Sequence, residues 1–250
     1  TNIGLIGNVN KAFSLARGEL LVMQCDDDIS LPDRVEVLVK EWCSCNKQPY
    51  VVCSSYTYLR RDGSQDGNKG FFWKKTGIER RTIEEVLLHY AYRGSSAAYR
   101  PEVMTAFGEV GGAGCYDDMV LFSRARLLGD ILLVKDSLLL YREGGLSANT
   151  GTVESAYLKK AAAEKASYLQ VMQDINRRCE LGGLSDEQRD KLVAICRKVI
   201  DDVDCRVKLL AGGLRERLEA YRRLKKNPEG QPKILLLLVS VFPRFLTRGI

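Results

Sequence analysis

The chain has 250 residues, 45% hydrophobic and 28% charged, with mean hydropathy near zero, which suits a buried α/β core with a smaller helical appendage. No apolar run approaches the roughly 20 residues that a membrane-spanning helix needs, and the first residues carry no secretory signal pattern. The net charge of +6 is confined to residues 213–250, where nine Lys/Arg stand against three Glu, while the rest of the chain balances. The eight cysteines form no CxxC pair, and Cys43-Ser44-Cys45 has no second ligand pair or nearby histidine, which argues against a zinc site and for reduced thiols in a cytoplasmic protein. With His89 as the single histidine, a Ser-His-Asp triad or a multi-histidine metal site has little to build on.

In chain order, residues 1–10 are rich in Gly and Asn and predict a turn, followed by a short helix over 11–16 with Gly18 as its C-cap. Residues 20–24 predict a short apolar strand. Leu31-Pro32 opens a helix over 32–45 that carries Val35, Leu38, Val39 and Trp42 on one face. Tyr50 to Leu59, dense in β-branched and aromatic residues, predicts a strand, and residues 61–70 predict a turn-rich loop. A helix over 82–91 leads to a small-residue strand, Gly94 to Arg100, stopped by Pro101. A glycine loop around 108–114 runs into a helix over 116–125, whose first turn holds Asp117 and Asp118. The helix dipole there helps hold both acids ionised. Strands are expected at 131–134 and 138–142. From 152 onward the pattern is helical: 152–179, then 185–211 opened by the capping box Ser185 to Gln188, then the basic 214–226, then an apolar run at 234–242.

The chemistry concentrates in two acidic clusters. Asp26, Asp27 and Asp28 are adjacent where the 20–24 strand surfaces, outside the carboxyl end of a strand, where α/β proteins place ligands. Adjacent carboxylates repel, and a hard divalent cation with phosphate oxygens offsets that repulsion; a solvated acidic turn capping the next helix is the alternative. The second cluster, Asp117 and Asp118, follows the glycine loop; a plain acidic helix start is its alternative.

These clusters, with Asn2-Ile3-Gly4, Asn8-Val9-Asn10, Ala16 to Leu21, the run Asp26 to Glu36, Gly94 to Arg100, Leu121, Arg124 and Tyr141-Arg142, resemble the family 2 glycosyltransferases over roughly residues 1–150. The resemblance implies a GT-A (Rossmann-like) α/β fold, a mixed sheet flanked by helices. Residues 1–150 are expected to be that core and 151–250 a helical C-terminal extension with a basic, membrane-associated tail. The implied activity is inverting transfer of a sugar from a nucleotide-diphosphate sugar to a glycan or lipid-linked acceptor, in surface polysaccharide synthesis. In that reading Asp26, Asp27 and Asp28 bind Mg²⁺ or Mn²⁺, which bridges the donor diphosphate. Asp118 is the general base with Asp117 its acidic neighbour. Asn10, Asp26, Gly94, Ser95, Ser96, Arg124 and Arg142 contact donor or acceptor; for Arg124 a salt-bridged helix residue is the alternative.

Two positions depart from the family pattern. Aligned on Pro32, the pair of metal-binding acids falls at 25 and 27, which puts Cys25, a poor ligand for a hard cation, at the first acid. Glu143-Gly144-Gly145 stands where many relatives place a histidine. The motif series opens at its Asn-x-Gly lead-in, so the first roughly 50 residues of a nucleotide-binding half are expected to be missing. A non-catalytic nucleotide- or glycan-binding relative, or a membrane-surface assembly protein using residues 213–250, are the alternatives. The protein is expected in the cytoplasm, peripheral on the inner membrane face, and no nucleic-acid partner is expected.

Overall fold

The computed structural model describes residues 2–90, 92–111, 114–143 and 153–225. Its centre is a pair of long parallel strands, β3 (Val51–Leu59) and β7 (Ile131–Arg142), in register from Val51 opposite Ile131 to Leu59 opposite Arg142, with shifts around Ser55. β6 (Ala97–Tyr99) pairs antiparallel with β3, and β1 (Leu21–Val22) pairs antiparallel with β6. β2 (Ile29–Ser30) runs antiparallel to β7, giving the order β1-β6-β3-β7-β2. β4 (Gln65–Phe71) adds to β3, and β5 (Gly77–Ile78) to β7. Two reversals bring β1 back to the direction of β3 and β7, so all three carboxyl ends emerge on one edge of the sheet.

Helices cover both faces. α2 (Arg34–Ser44) places Leu38 and Trp42 on Val52, Ala98, Leu132, Val134 and Leu138. The opposite face carries α1 (Gly4–Leu15), α3 (Ile83–Leu88), α4 (Glu102–Thr105) and α5 (Asp117–Leu128), with a 3-10 turn at Gly94–Ser96 leading into β6. α6 (Val153–Glu180) and α7 (Asp186–Ala211) join the same hydrophobic cluster through Tyr168, Val171, Ile175, Leu192, Val193 and Cys196. The helical extension therefore shares the core of the sheet. α8 (Leu214–Lys225) turns Ala220 and Leu224 onto Cys205 and Leu209 of α7. No helix among the described residues is long and apolar enough to cross a membrane. The Gly144-Gly145 segment and the apolar run at 234–242 lie outside the described residues.

The mixed α/β sheet with its helical C-terminal region is as expected, and the Ser185–Gln188 capping box is present in both directions. Several local expectations are corrected. The first helix begins at Gly4, not at 11, and ends in extended Ala16, so Gly18 caps nothing. Its Ile6, Val9 and Phe13 form one apolar stripe, Val9 buried and the other two partly so, that outweighs the turn propensity of the Gly and Asn residues. The buried stripe of α2 is Arg34, Leu38 and Trp42, while Val35 and Val39 are exposed. The segment 61–70 is largely β4, because the edge of β3 offers it a backbone ladder. The two strands expected at 131–142 are one, its exposed Lys135 and Asp136 interrupting the apolar pattern but not the pairing.

Candidate active site at the carboxyl edge of the sheet

The acidic loop leaves β1 at the carboxyl edge and is tied there by hydrogen bonds between side chains and backbone. Gln24 Nε2 donates to the carbonyls of Cys25 and Asp28, both at 2.9 Å. From the end of β7, Arg142 donates its backbone N–H to Asp28 Oδ1 (2.9 Å) and its Nε to the Asp27 carbonyl (2.8 Å). Beneath the loop, the wholly buried Arg34 donates to Gln24 Oε1 (2.8 Å), the Met23 carbonyl (2.8 Å) and the Ser95 carbonyl (2.5 Å). One guanidinium thus fastens the acidic loop to the Gly94–Ser96 turn, and burial lowers its pKa. Sequence reasoning missed this role, because Arg34 reads as an ordinary charged residue at a helix start.

Cys25 Sγ and carboxylate oxygens of Asp27 and Asp28 all lie within 4.8 Å of one another. Asp28 is buried, and its Oδ2 has no hydrogen-bond partner. Burial raises its pKa, although Ser95, whose own Oγ is unpartnered, lies close enough to favour the ionised form. An orphaned buried carboxylate oxygen beside a second carboxylate and a sulfur fits a divalent cation. Burial and then the nearby Asp28 and Asp117 push the Cys25 thiol up to about 12. Asp26 is exposed and outside this group, so the third metal donor the structure offers is Cys25.

The second acidic cluster faces the first across the 3-10 turn. Asp117 and Asp118 occupy the first turn of α5, as expected. A methyl group built on Gly94 would lie 3.1 Å from Asp118 Cβ and 3.6 Å from Asp117 Oδ2, so the turn packs directly against the pair. Burial, reinforced by Asp117, raises Asp118 to about 6; burial also raises Asp117. The dipole expectation is outweighed by desolvation at Asp118. Arg93 stands beside the pair; burial opposes its charge, but Tyr56 and Asp118 outweigh that and raise its pKa. Tyr56, Tyr58 and Tyr141 form a trio on β3 and β7 with ring centroids 5.4–5.8 Å apart. Arg93 and the trio were not singled out from sequence; their convergence depends on the register of β3 and β7.

Two of the residues expected to contact donor or acceptor are engaged within the fold. Arg124 is wholly buried and donates Nε and Nη2 to Asp174 on α6 (2.8 and 3.1 Å) and Nη1 to the Gly108 carbonyl (2.8 Å), leaving it no donor for a substrate. Asn10 is engaged in both directions with the backbone of Val110, each bond 2.9 Å. Both residues hold the loop that feeds α5. That loop is also fastened to α6, Gly111 N–H to Gln170 Oε1 (2.9 Å) and Tyr116 N–H to Ser167 Oγ (2.8 Å). Ser96 donates to the Arg93 carbonyl (3.0 Å) and shapes the turn.

Residues 1–106 match the family model for Glycosyl transferase family 2, a match that takes in the acidic loop and the Gly94–Ser96 turn and stops ahead of Asp117. No curated protein matches the chain. With this match and the mixed sheet that presents both acidic clusters on one edge, residues 1–106 are a Glycosyl transferase family 2 domain.

Proposed function

We propose that the protein transfers a sugar, with inversion, from a nucleotide-diphosphate sugar to a hydroxyl of a glycan or lipid-linked acceptor. The observation that carries this is that one turn borders both acidic clusters: Gly94 packs against Asp118, raised to about 6, while Ser95 lies beside Asp28 of the Cys25/Asp27/Asp28 group. A base near pH 6 is ionised at neutral pH yet accepts a proton readily, as general base catalysis requires. Asp118 takes the acceptor hydroxyl proton as the oxygen bonds to the anomeric carbon and the bond to the diphosphate breaks. Asp27 and Asp28 would hold the divalent cation, which supplies charge neutralisation for the departing diphosphate. Arg93 and the tyrosine trio lie on the Asp118 side, where aromatic faces and a cation suit an acidic or phosphate-bearing acceptor. The backbone of Gly94–Ser96 lines the cleft between the acidic clusters.

The basic segment 213–250, of a charge that anionic lipid would attract, supports placing this activity at the cytoplasmic face of a membrane, in surface polysaccharide synthesis. Nucleotide release from a panel of nucleotide-diphosphate sugars, with Mn²⁺ and an acceptor extract, tests the transfer. Asp118→Asn should abolish release while metal-dependent nucleotide binding persists. Unchanged release would remove Asp118 as the base.

A further inference from the structure

The donor set of the cation site departs from an all-oxygen one. Cys25 occupies the position of the first acid, and its sulfur lies within 4.8 Å of both carboxylates in the group. Two buried thiols elsewhere hydrogen-bond to nearby polar groups: Cys53 Sγ lies 3.3 Å from Ser96 Oγ, and Cys115 donates to the Gly111 carbonyl at 3.6 Å. Cys25 instead shares its surroundings with acids. The independent sign of a ligand is Asp28, only 8% exposed, with Oδ1 taken by the Arg142 N–H and Oδ2 bonded to nothing. Backbone carbonyls of Cys25, Asp27 and Asp28 are each fixed by Gln24 or Arg142, so the three donors are held by a loop that is already ordered.

We infer that Cys25, Asp27 and Asp28 form a mixed sulfur and oxygen seat that selects a thiophilic divalent ion, of the Zn²⁺ or Co²⁺ kind, over Mg²⁺. Thiolate is a soft donor that suits zinc and its neighbours, whereas Mg²⁺ requires hard oxygens in near-octahedral array. A coordinating thiol loses its proton outright, so the metal–sulfur bond forms as the S–H proton passes to solvent. Three protein donors leave further positions open, as a site that must also accept donor oxygens requires. The inference rests on the reading above that this group is the transferase's cation seat.

The test uses the full chain, stripped with chelator and kept reduced, with Co²⁺ as the probe. Cobalt bound through thiolate shows a sulfur-to-metal charge-transfer absorption that oxygen-only sites lack. Wild type should show this band, and Zn²⁺ but not excess Mg²⁺ should bleach it. Cys25→Ser should lose the band and bind Co²⁺ at least about tenfold more weakly. Cys25→Asp should lose the band yet deplete free Mn²⁺, read by its paramagnetic resonance signal. Circular dichroism confirms that each variant is folded. A band equal in wild type and Cys25→Ser would assign the sulfur to another cysteine and overturn the inference. Mn²⁺ binding by wild type with no cobalt–sulfur band would overturn the sulfur ligand and leave the cation seat standing. Binding of no divalent ion by either wild type or Cys25→Asp would overturn both.

Discussion

Asp118→Asn is expected to stabilise the protein at neutral pH while destroying transfer. Asp118 is held at about 6 against an ordinary value of 3.8, so the folded state prefers the neutral acid. The sign follows from linkage: stability from this group is full below pH 3.8 and is lost as pH rises through 6. At about 1.36 kcal/mol per unit, ionising Asp118 costs the folded state on the order of 3 kcal/mol at pH 8 and about 1 kcal/mol at pH 4.5. Asparagine has the same shape and cannot ionise, so it escapes that cost. Urea unfolding of wild type and Asp118→Asn in chelator at both pH values measures the difference. The variant should gain most at pH 8, with a gain smaller by about 2 kcal/mol at pH 4.5. Equal effects at the two pH values, or a loss of stability at pH 8, would refute the desolvated-base argument. For the wild-type enzyme, kcat/KM should fall as pH drops through about 6, as the base becomes protonated.

Asp174→Ala should lower stability by about 3–5 kcal/mol, because it leaves the Arg124 guanidinium wholly buried without its counter-charge. The paired change Arg124→Met/Asp174→Leu should recover most of that loss in the same urea assay. Arg34→Lys should cost about 3 kcal/mol, since one ammonium cannot span the Met23, Gln24 and Ser95 oxygens that the planar fork reaches; full stability in urea would remove the clamp. Gly94→Ala should leave the melting temperature within a few degrees of wild type and cut turnover severalfold. Its methyl group enters at 3.1 Å from Asp118 Cβ and the acid must shift; unchanged turnover would show that the shift is harmless.

Both acidic clusters were legible because their signals are local: a carboxylate run after an apolar segment, and an acid pair at the start of a helical pattern. The capping box at Ser185 is legible for the same reason. What organises the site is remote in sequence. Arg34 reaches Ser95 across 61 positions and Asn10 reaches Val110 across 100, and neither partner announces itself. From sequence Arg124 reads equally as a substrate contact or a salt-bridged helix residue, because charge in a helix near an acid pair fits either role. Only the packing of α6 onto α5, which brings Asp174 to it, separates the two. The segment 61–70 has the composition of a loop, and its strand exists because β3 presents an edge.

The position of β7 bears on where the molecule can be divided. The residues that match the family end at 106, yet the strand lying between β3 and β2 is drawn from 131–142. A fragment cut at 106 would keep the acidic loop and expose the open edge of β3, a template for strand addition by other chains. It would also lose the Arg142 bonds to Asp27 and Asp28. Recognition and autonomy are thus divided differently along this polypeptide: the matched stretch supplies six of the seven strands, and the stretch beyond it supplies the one that joins β3 to β2.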